Sequence, residues 1–169
     1  NEMAHLHGVK ANISVRINPD IDAHTHKYVT TGLYENKFGI SNHEFDKLIE
    51  FIQKSEHINF IGLHFHIGSQ ITRVDEVFSL ECKRVNEIVK YFESKGLTVR
   101  NINLGGGLGV DYDDPDGNPI ADFKTWFNAI DRNIIRRSDQ TVHVEPGRSL
   151  VAQCASLISR VLFVKSGET

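Results

Sequence analysis

Apolar and polar residues alternate strictly in four short stretches of the chain. From Asn12 to Asn18, Ile13, Val15 and Ile17 share one side; Asn12, Ser14, Arg16 and Asn18 share the other. A period of two predicts a strand, and Pro19 ends it. Ile61 to Ile67 repeats the pattern, with Ile61, Leu63, Phe65 and Ile67 opposite Gly62, His64 and His66. Arg100 to Leu104 sets Ile102 and Leu104 against Asn101 and Asn103, and Thr141 to Glu145 sets Val142 and Val144 against Thr141, His143 and Glu145.

Between these stretches the period lengthens to that of a helix. Ser41-x-x-Glu44 predicts a capping box ahead of Phe45, Leu48, Ile49 and Ile52. A longer helix is predicted from about Val74 to Lys95, carrying Phe78, Val85, Ile88, Val89 and Phe92 and stopped by Gly96. A third begins at Asp122 as N-cap, with Phe123, Trp126, Phe127, Ile130 and Ile134 on one face. These stripes read as core.

The order β-α-β-α-β-α-β predicts an α/β fold with a parallel sheet and right-handed crossovers. Strands of a doubly wound sheet are apolar on both faces, whereas each strand here has one polar face that ends in a loop of Gly, Asn or Pro. A TIM-type (β/α)8 barrel, whose interior opens into a polar site at the C-terminal mouth, explains that asymmetry. Four strands make half of it, in a chain of 169 residues against the ~250 of a typical barrel. After Arg148 the run LVAQCASLISRVLFV is β-prone and lacks a following helix, which reads as the start of another domain. The segment Asp111 to Pro119 reads as a solvated connection.

Composition narrows the classes. Nineteen Lys and Arg against 22 Asp and Glu leave a net charge of −3, too weak a field to support binding to nucleic acid or a membrane surface. Cys82 and Cys154 are too few for a disulfide framework and are expected as small buried side chains. No apolar run approaches the ~18 residues of a membrane span, and no signal peptide is visible, so a cytoplasmic protein is the default. Residue 1 is Asn, which suggests that the natural chain begins earlier.

The candidate chemistry lies at the strand ends. Glu145 closes the fourth strand beside Pro146-Gly147-Arg148. Gly105-Gly106-Gly107 follows the third, and consecutive glycines let backbone amides approach an anion. His66-Ile67-Gly68-Ser69 ends the second, offering a ring to stack and a turn to donate to phosphate. Arg16 lies on the polar face of the first. A ring-stacker, a phosphate cradle, an acid and two cations at one rim suit a flat, phosphorylated, nitrogen-containing cofactor. Pyridoxal 5'-phosphate fits, because a carboxylate at its pyridine nitrogen keeps the ring protonated and electron-accepting.

Five motifs occur in one order: Arg16-Ile17-Asn18-Pro19-Asp20, Thr31-Gly32 through Lys37-Phe38-Gly39-Ile40, His66-Ile67-Gly68-Ser69-Gln70, Gly105-Gly106-Gly107, and Glu145-Pro146-Gly147-Arg148-Ser149. In this set the chain resembles the diaminopimelate decarboxylase family, of the alanine-racemase-like and ornithine-decarboxylase-like pyridoxal-phosphate enzymes. The first motif and Gln70 resemble the diaminopimelate branch most.

The resemblance implies that residues 1–149 are the C-terminal half of the cofactor-binding barrel and that 150–169 open the C-terminal β domain with its first strand. It implies that His66 stacks on the pyridine face and that Ser69, Gly105, Gly106, Gly107, Gly147 and Arg148 hold the phosphate. Glu145 would bind the pyridine nitrogen, Arg16 would lie near the phenolic oxygen, and Arg148 would also reach a substrate carboxylate. Glu145 and His66 would be the catalytic residues. The reaction implied is decarboxylation of the small-molecule amino acid meso-2,6-diaminopimelate to L-lysine and CO2, in a homodimeric complete enzyme, with no metal, nucleic acid or membrane partner. His24, His26 and Lys37 would shape the rim.

The family's cofactor-linking lysine lies far upstream, in a Val-Lys-Ala-Asn-like context. Val9-Lys10-Ala11-Asn12 copies that context, but Lys10 directly precedes the Arg16 strand and reads as coincidence, so the chain by itself is expected to be inactive. Alternatives are an ornithine- or arginine-type decarboxylase, a metal-dependent hydrolase using His64 and His66 with His143 and Glu145, and a non-catalytic half-barrel.

Overall fold

A computed structural model describes residues 1–21 and 38–166. The expectations for His24, His26 and Lys37, and most of the second motif, lie outside the described residues. The elements run α1 (Glu2–Leu6), β1 (Ala11–Arg16), a 3-10 turn (Asn42–Glu44), α2 (Phe45–Lys54), β2 (Ile58–His64), α3 (Val74–Ser94), β3 (Asn101–Asn103), α4 (Phe123–Asn133), β4 (Thr141–His143) and α5 (Gly147–Val151). The four strands form one parallel sheet in the order β1-β2-β3-β4. Sequential parallel order is what successive βα units generate.

Helices α2, α3 and α4 contribute their apolar stripes to a core shared with Ile17, Leu63, Phe65, Ile102 and Leu104 of the strands and their ends. Trp126, Phe65, Phe78 and Phe92 are its largest fully buried side chains. Phe92 stands edge-on to Phe45 at 5.1 Å and stacks on Phe60 at 6.3 Å, tying α2, α3 and β2 together. Gly96, at φ 86°, ends α3 as its composition predicts. Asp122 caps α4 by accepting a hydrogen bond from the Thr125 amide at 3.0 Å.

Several expectations are corrected. The alternation of β2 does not run unbroken. Ile13 pairs with Phe60 and Ser14 with Gly62, so Ile61 is an inserted residue. The bulge resets the phase and lets Phe60, Leu63 and Phe65 all serve the core. Ser41 makes no side-chain cap, because the chain there turns through a 3-10 helix whose Glu44 amide donates to the Ser41 carbonyl instead. Phe127 is 48% exposed. It sits at the outer margin of the α4 stripe.

The run after Arg148 forms a short helix, α5, and then no strand among residues 152–166. Leu157, Ile158, Leu162 and Phe163 are exposed there, and Cys154 with them. A β-prone segment becomes a strand only when a neighbouring strand accepts its backbone hydrogen bonds. Cys82 is buried as expected, and burial pushes its thiol up to about 12. Among the described residues no helix is long and apolar enough to cross a membrane.

A charged residue also lies in the core. Glu81 on α3 is fully buried, and neither carboxylate oxygen has a hydrogen-bond partner. Burial pushes its carboxyl well above the usual range, which favours the protonated form in the folded chain. Its contribution to stability is complete below the ordinary glutamate range and is lost as pH rises from there through the folded-state value. Glu81→Met should therefore raise stability at neutral pH by about 1–3 kcal/mol and flatten the fall in stability above about pH 5. Urea denaturation followed across pH measures both.

Candidate active site

The register aligns one polar residue from the end of each strand. Arg16 pairs with His64, His64 with Asn103, and Asn103 with His143. Parity places this row on the face away from the helices. Backbone pairing continues past the strand ends: the Ile17 amide donates to the His64 carbonyl, Phe65 to Asn103, Leu104 to His143, and Glu145 to Gly105. These bonds carry His66, Gly105 and Glu145 one step further along the same face, at the C-terminal mouth of the sheet.

Glu145 is the best-defined group there. The Asn103 Nδ2 donates to Glu145 Oε1 at 2.8 Å, and Glu145 Oε2 lies 3.6 Å from His64 Nε2. Its side chain remains 53% exposed, so the carboxylate is oriented yet open to a ligand. His64 Nε2 is buried and makes no hydrogen bond. Burial holds the His64 imidazole below the usual histidine range; the nearby charges of Arg16 and His66 act the same way and Glu145 opposes them. His64 is therefore neutral at neutral pH. The Arg16 guanidinium lies over the Phe38 ring, 5.4 Å from its centroid.

The glycine turn packs directly on the neighbouring strand ends. Its Gly105 amide donates to Asn103 Oδ1 at 2.8 Å and its Gly106 amide to His66 Nδ1 at 3.4 Å. A Cβ at Gly106 would overlap the Glu145 carbonyl oxygen, and one at Gly105 would overlap that of Phe65. Glycine is thus required here by close backbone packing as well as by any anion. Two of the three amides expected to cradle phosphate are spent inside the protein.

The loop after β2 is fastened to the loop after β3. The Ile71 amide donates to the Gly107 carbonyl at 2.8 Å, and the Gly109 amide to the Ile71 carbonyl at 3.0 Å. Gln70 extends this pairing with its side chain, donating to the Val110 carbonyl at 2.5 Å and accepting from the Val110 amide at 3.2 Å. Arg148 Nη1 donates to the same Gln70 Oε1 at 3.2 Å.

His66, the glycine turn, Glu145 and Arg148 are thereby brought to one rim, with Ser69 on the fastened loop beside them. Gly147 opens α5 at φ 29° with open space where a Cβ would stand. Lys10 lies just before β1, at the opposite end of the strand from Arg16. At ~3.3 Å per residue that separation is about 20 Å. Among the described residues no three His, Cys, Asp or Glu side chains gather as a metal site. One residue and one contact escape the sequence reading. Asn103 is visible only as the polar face of a strand, and the contact of Gln70 with Arg148 spans 78 residues.

A family model described as "Pyridoxal-dependent decarboxylase, pyridoxal binding domain" matches residues 1–152. A diaminopimelate decarboxylase of Bacteroides thetaiotaomicron is 48% identical over 167 residues, covering 99% of this chain and 43% of that protein. The crystal structure of the M. jannaschi diaminopimelate decarboxylase superposes with a TM-score of 0.74 at 35% identity, over 89% of this chain and 36% of that one. That of the Helicobacter pylori diaminopimelate decarboxylase, complexed with L-lysine, gives 0.68 at 36% identity, over 89% of this chain and 37% of that one. The chain thus spans about two fifths of the length of these relatives.

Two outcomes follow from the geometry. Gly106→Ala should destabilise the fold by about 2–3 kcal/mol through the Glu145 carbonyl, so its melting temperature should fall even with no anion present. By NMR, His64 should titrate below an exposed histidine, and Glu145→Gln should lower it further, because the carboxylate is what raises it.

Proposed function

The chain belongs to the pyridoxal-dependent decarboxylases, whose pyridoxal binding domain it matches over residues 1–152, and from that premise we propose that it forms part of the cofactor-holding rim of a diaminopimelate decarboxylase. The proposed reaction is the conversion of meso-2,6-diaminopimelate to L-lysine and CO2 with pyridoxal 5'-phosphate. The observation that carries the proposal is the Glu145 carboxylate, fixed by Asn103 and half open at the strand mouth.

The donor set fits the cofactor. A fixed, accessible carboxylate suits a pyridinium nitrogen, and a histidine on the same rim suits a ring face. The Gly147-Arg148 turn and Ser69 suit a phosphate, and of the glycine turn only the Gly107 amide is left to join them, since those of Gly105 and Gly106 are bonded to Asn103 and His66. When bound, the cofactor supplies a sink for the electron pair of the breaking C–C bond.

The chain's own part is positional. Glu145 would accept a hydrogen bond from the ring nitrogen and so favour its protonated form. Asn103 stops the carboxylate from turning away. The neutral His64 adds no cation to compete for Glu145. His66 would cover one ring face, Arg16 would stand by the phenolic oxygen, and Arg148 would meet a substrate carboxylate.

Residues 1–149 are read as half of an eight-stranded barrel. The one-sided polarity of the sheet supports this, as does the coverage of about two fifths of the relatives' length. Completion of the rim, including a cofactor-linking lysine, then falls to the remainder of the enzyme, and Lys10 takes no part. The homodimer expected of the complete enzyme belongs to the same proposal, and its solution mass tests it.

In the complete enzyme, Glu145→Gln should lower turnover by two orders of magnitude or more while cofactor absorbance shows the cofactor still bound. An amide in place of the carboxylate cannot hold the ring nitrogen protonated. Turnover near the parent's would remove Glu145 from the role.

A further inference from the structure

Gln70 is a non-glycine residue in the left-handed region, at φ 58°. Such a conformation is uncommon for a residue with a long side chain and persists only where the surroundings fix it. The surroundings here are specific. The side-chain amide pairs with both backbone groups of Val110, donating to its carbonyl and accepting from its amide. That two-point clamp leaves Oε1 with its second lone pair, and Arg148 Nη1 occupies it at 3.2 Å.

The backbone fastening between Ile71, Gly107 and Gly109 needs no part of the Gln70 side chain. The loop could be held to the glycine turn without it. What the Gln70 side chain adds is a fixed acceptor aimed at one guanidinium nitrogen. Arg148 is exposed on a five-residue helix, and a long arginine side chain in solvent samples many rotamers.

We propose that Gln70 is the positioning residue for Arg148, holding the guanidinium in the pose that receives a substrate carboxylate. This rests on the reading of Arg148 as the carboxylate anchor. Gln70 takes one N–H of the planar fork, which leaves the other donors for a carboxylate. Carboxylate recognition then depends on a residue with no contact to the carboxylate, and ordering of Arg148 is complete before the ligand arrives.

The test uses the complete enzyme with cofactor and two probes measured by calorimetry: L-lysine, and 1,5-diaminopentane, the same chain without its carboxylate. Gln70→Met keeps the length and loses every hydrogen bond. It should weaken L-lysine binding by about tenfold or more, the size of a lost hydrogen bond to a charged group. Affinity for 1,5-diaminopentane and for the cofactor should stay within twofold. Gln70→Gly, which relieves the left-handed backbone, should show the same selective loss with no fall in melting temperature.

Arg148→Gln, run beside them, separates the two levels of the argument. If it weakens L-lysine but the Gln70 variants do not, Gln70 is not a positioning residue. If it leaves L-lysine unchanged, the anchor reading falls and the proposal with it. If the Gln70 variants weaken both probes alike, Gln70 serves the general shape of the rim and the proposal is overturned.

Discussion

Everything at the mouth of this sheet depends on the parallel register of four strands. Backbone pairing aligns Arg16, His64, Asn103 and His143 in one row. The same ladder, continued past the strand ends, delivers Glu145 next to Asn103. A slip of one residue in any strand would send its polar side chains into the helical core and bring apolar ones to the mouth. The core therefore enforces the register, and the register in turn builds the site.

The bulge at Ile61 shows how tightly these demands are coupled. Phe60 must reach Phe92, while Leu63 and Phe65 must enter the same core. Residues 60 and 63 differ in parity and cannot share a face of a regular strand. Inserting Ile61 satisfies both and sets the phase that presents His64 and His66 at the mouth. The insertion lies within β2, upstream of the histidines whose direction it sets.

Glycine and glutamine serve opposite ends of the same constraint. Gly105 and Gly106 let three loop backbones approach until side chains would collide. Gln70 uses its side chain to span the gap that remains, clamping Val110 and reaching Arg148. The interior is not fully satisfied: among the described residues Glu81 is a buried acid without a hydrogen-bond partner, and the Trp126 indole Nε1 is likewise buried and unpaired. A core closed by so many aromatic contacts can carry such costs.

Much of this was legible in the sequence because it is local. Period-two alternation located the four strands, helical spacing located α2, α3 and α4, and Asp122 and Gly96 marked two helix ends through capping chemistry. The five ordered motifs led to the family and to Glu145, His66 and Arg148. What alternation could not show was a change of phase, so the bulge and the double use of Phe60 were invisible. Nor could it show which polar residues meet. Asn103 and Glu145 are 42 residues apart, and Gln70 and Arg148 are 78. The β-prone run after Arg148 marks the boundary most clearly. Propensity is a property of the residues, whereas a strand is a property of a pair, and residues 152–166 have no partner strand among those described. The sequence determined the elements and the kinds of chemistry at their ends. Only the packing of the sheet decided which of those groups would touch.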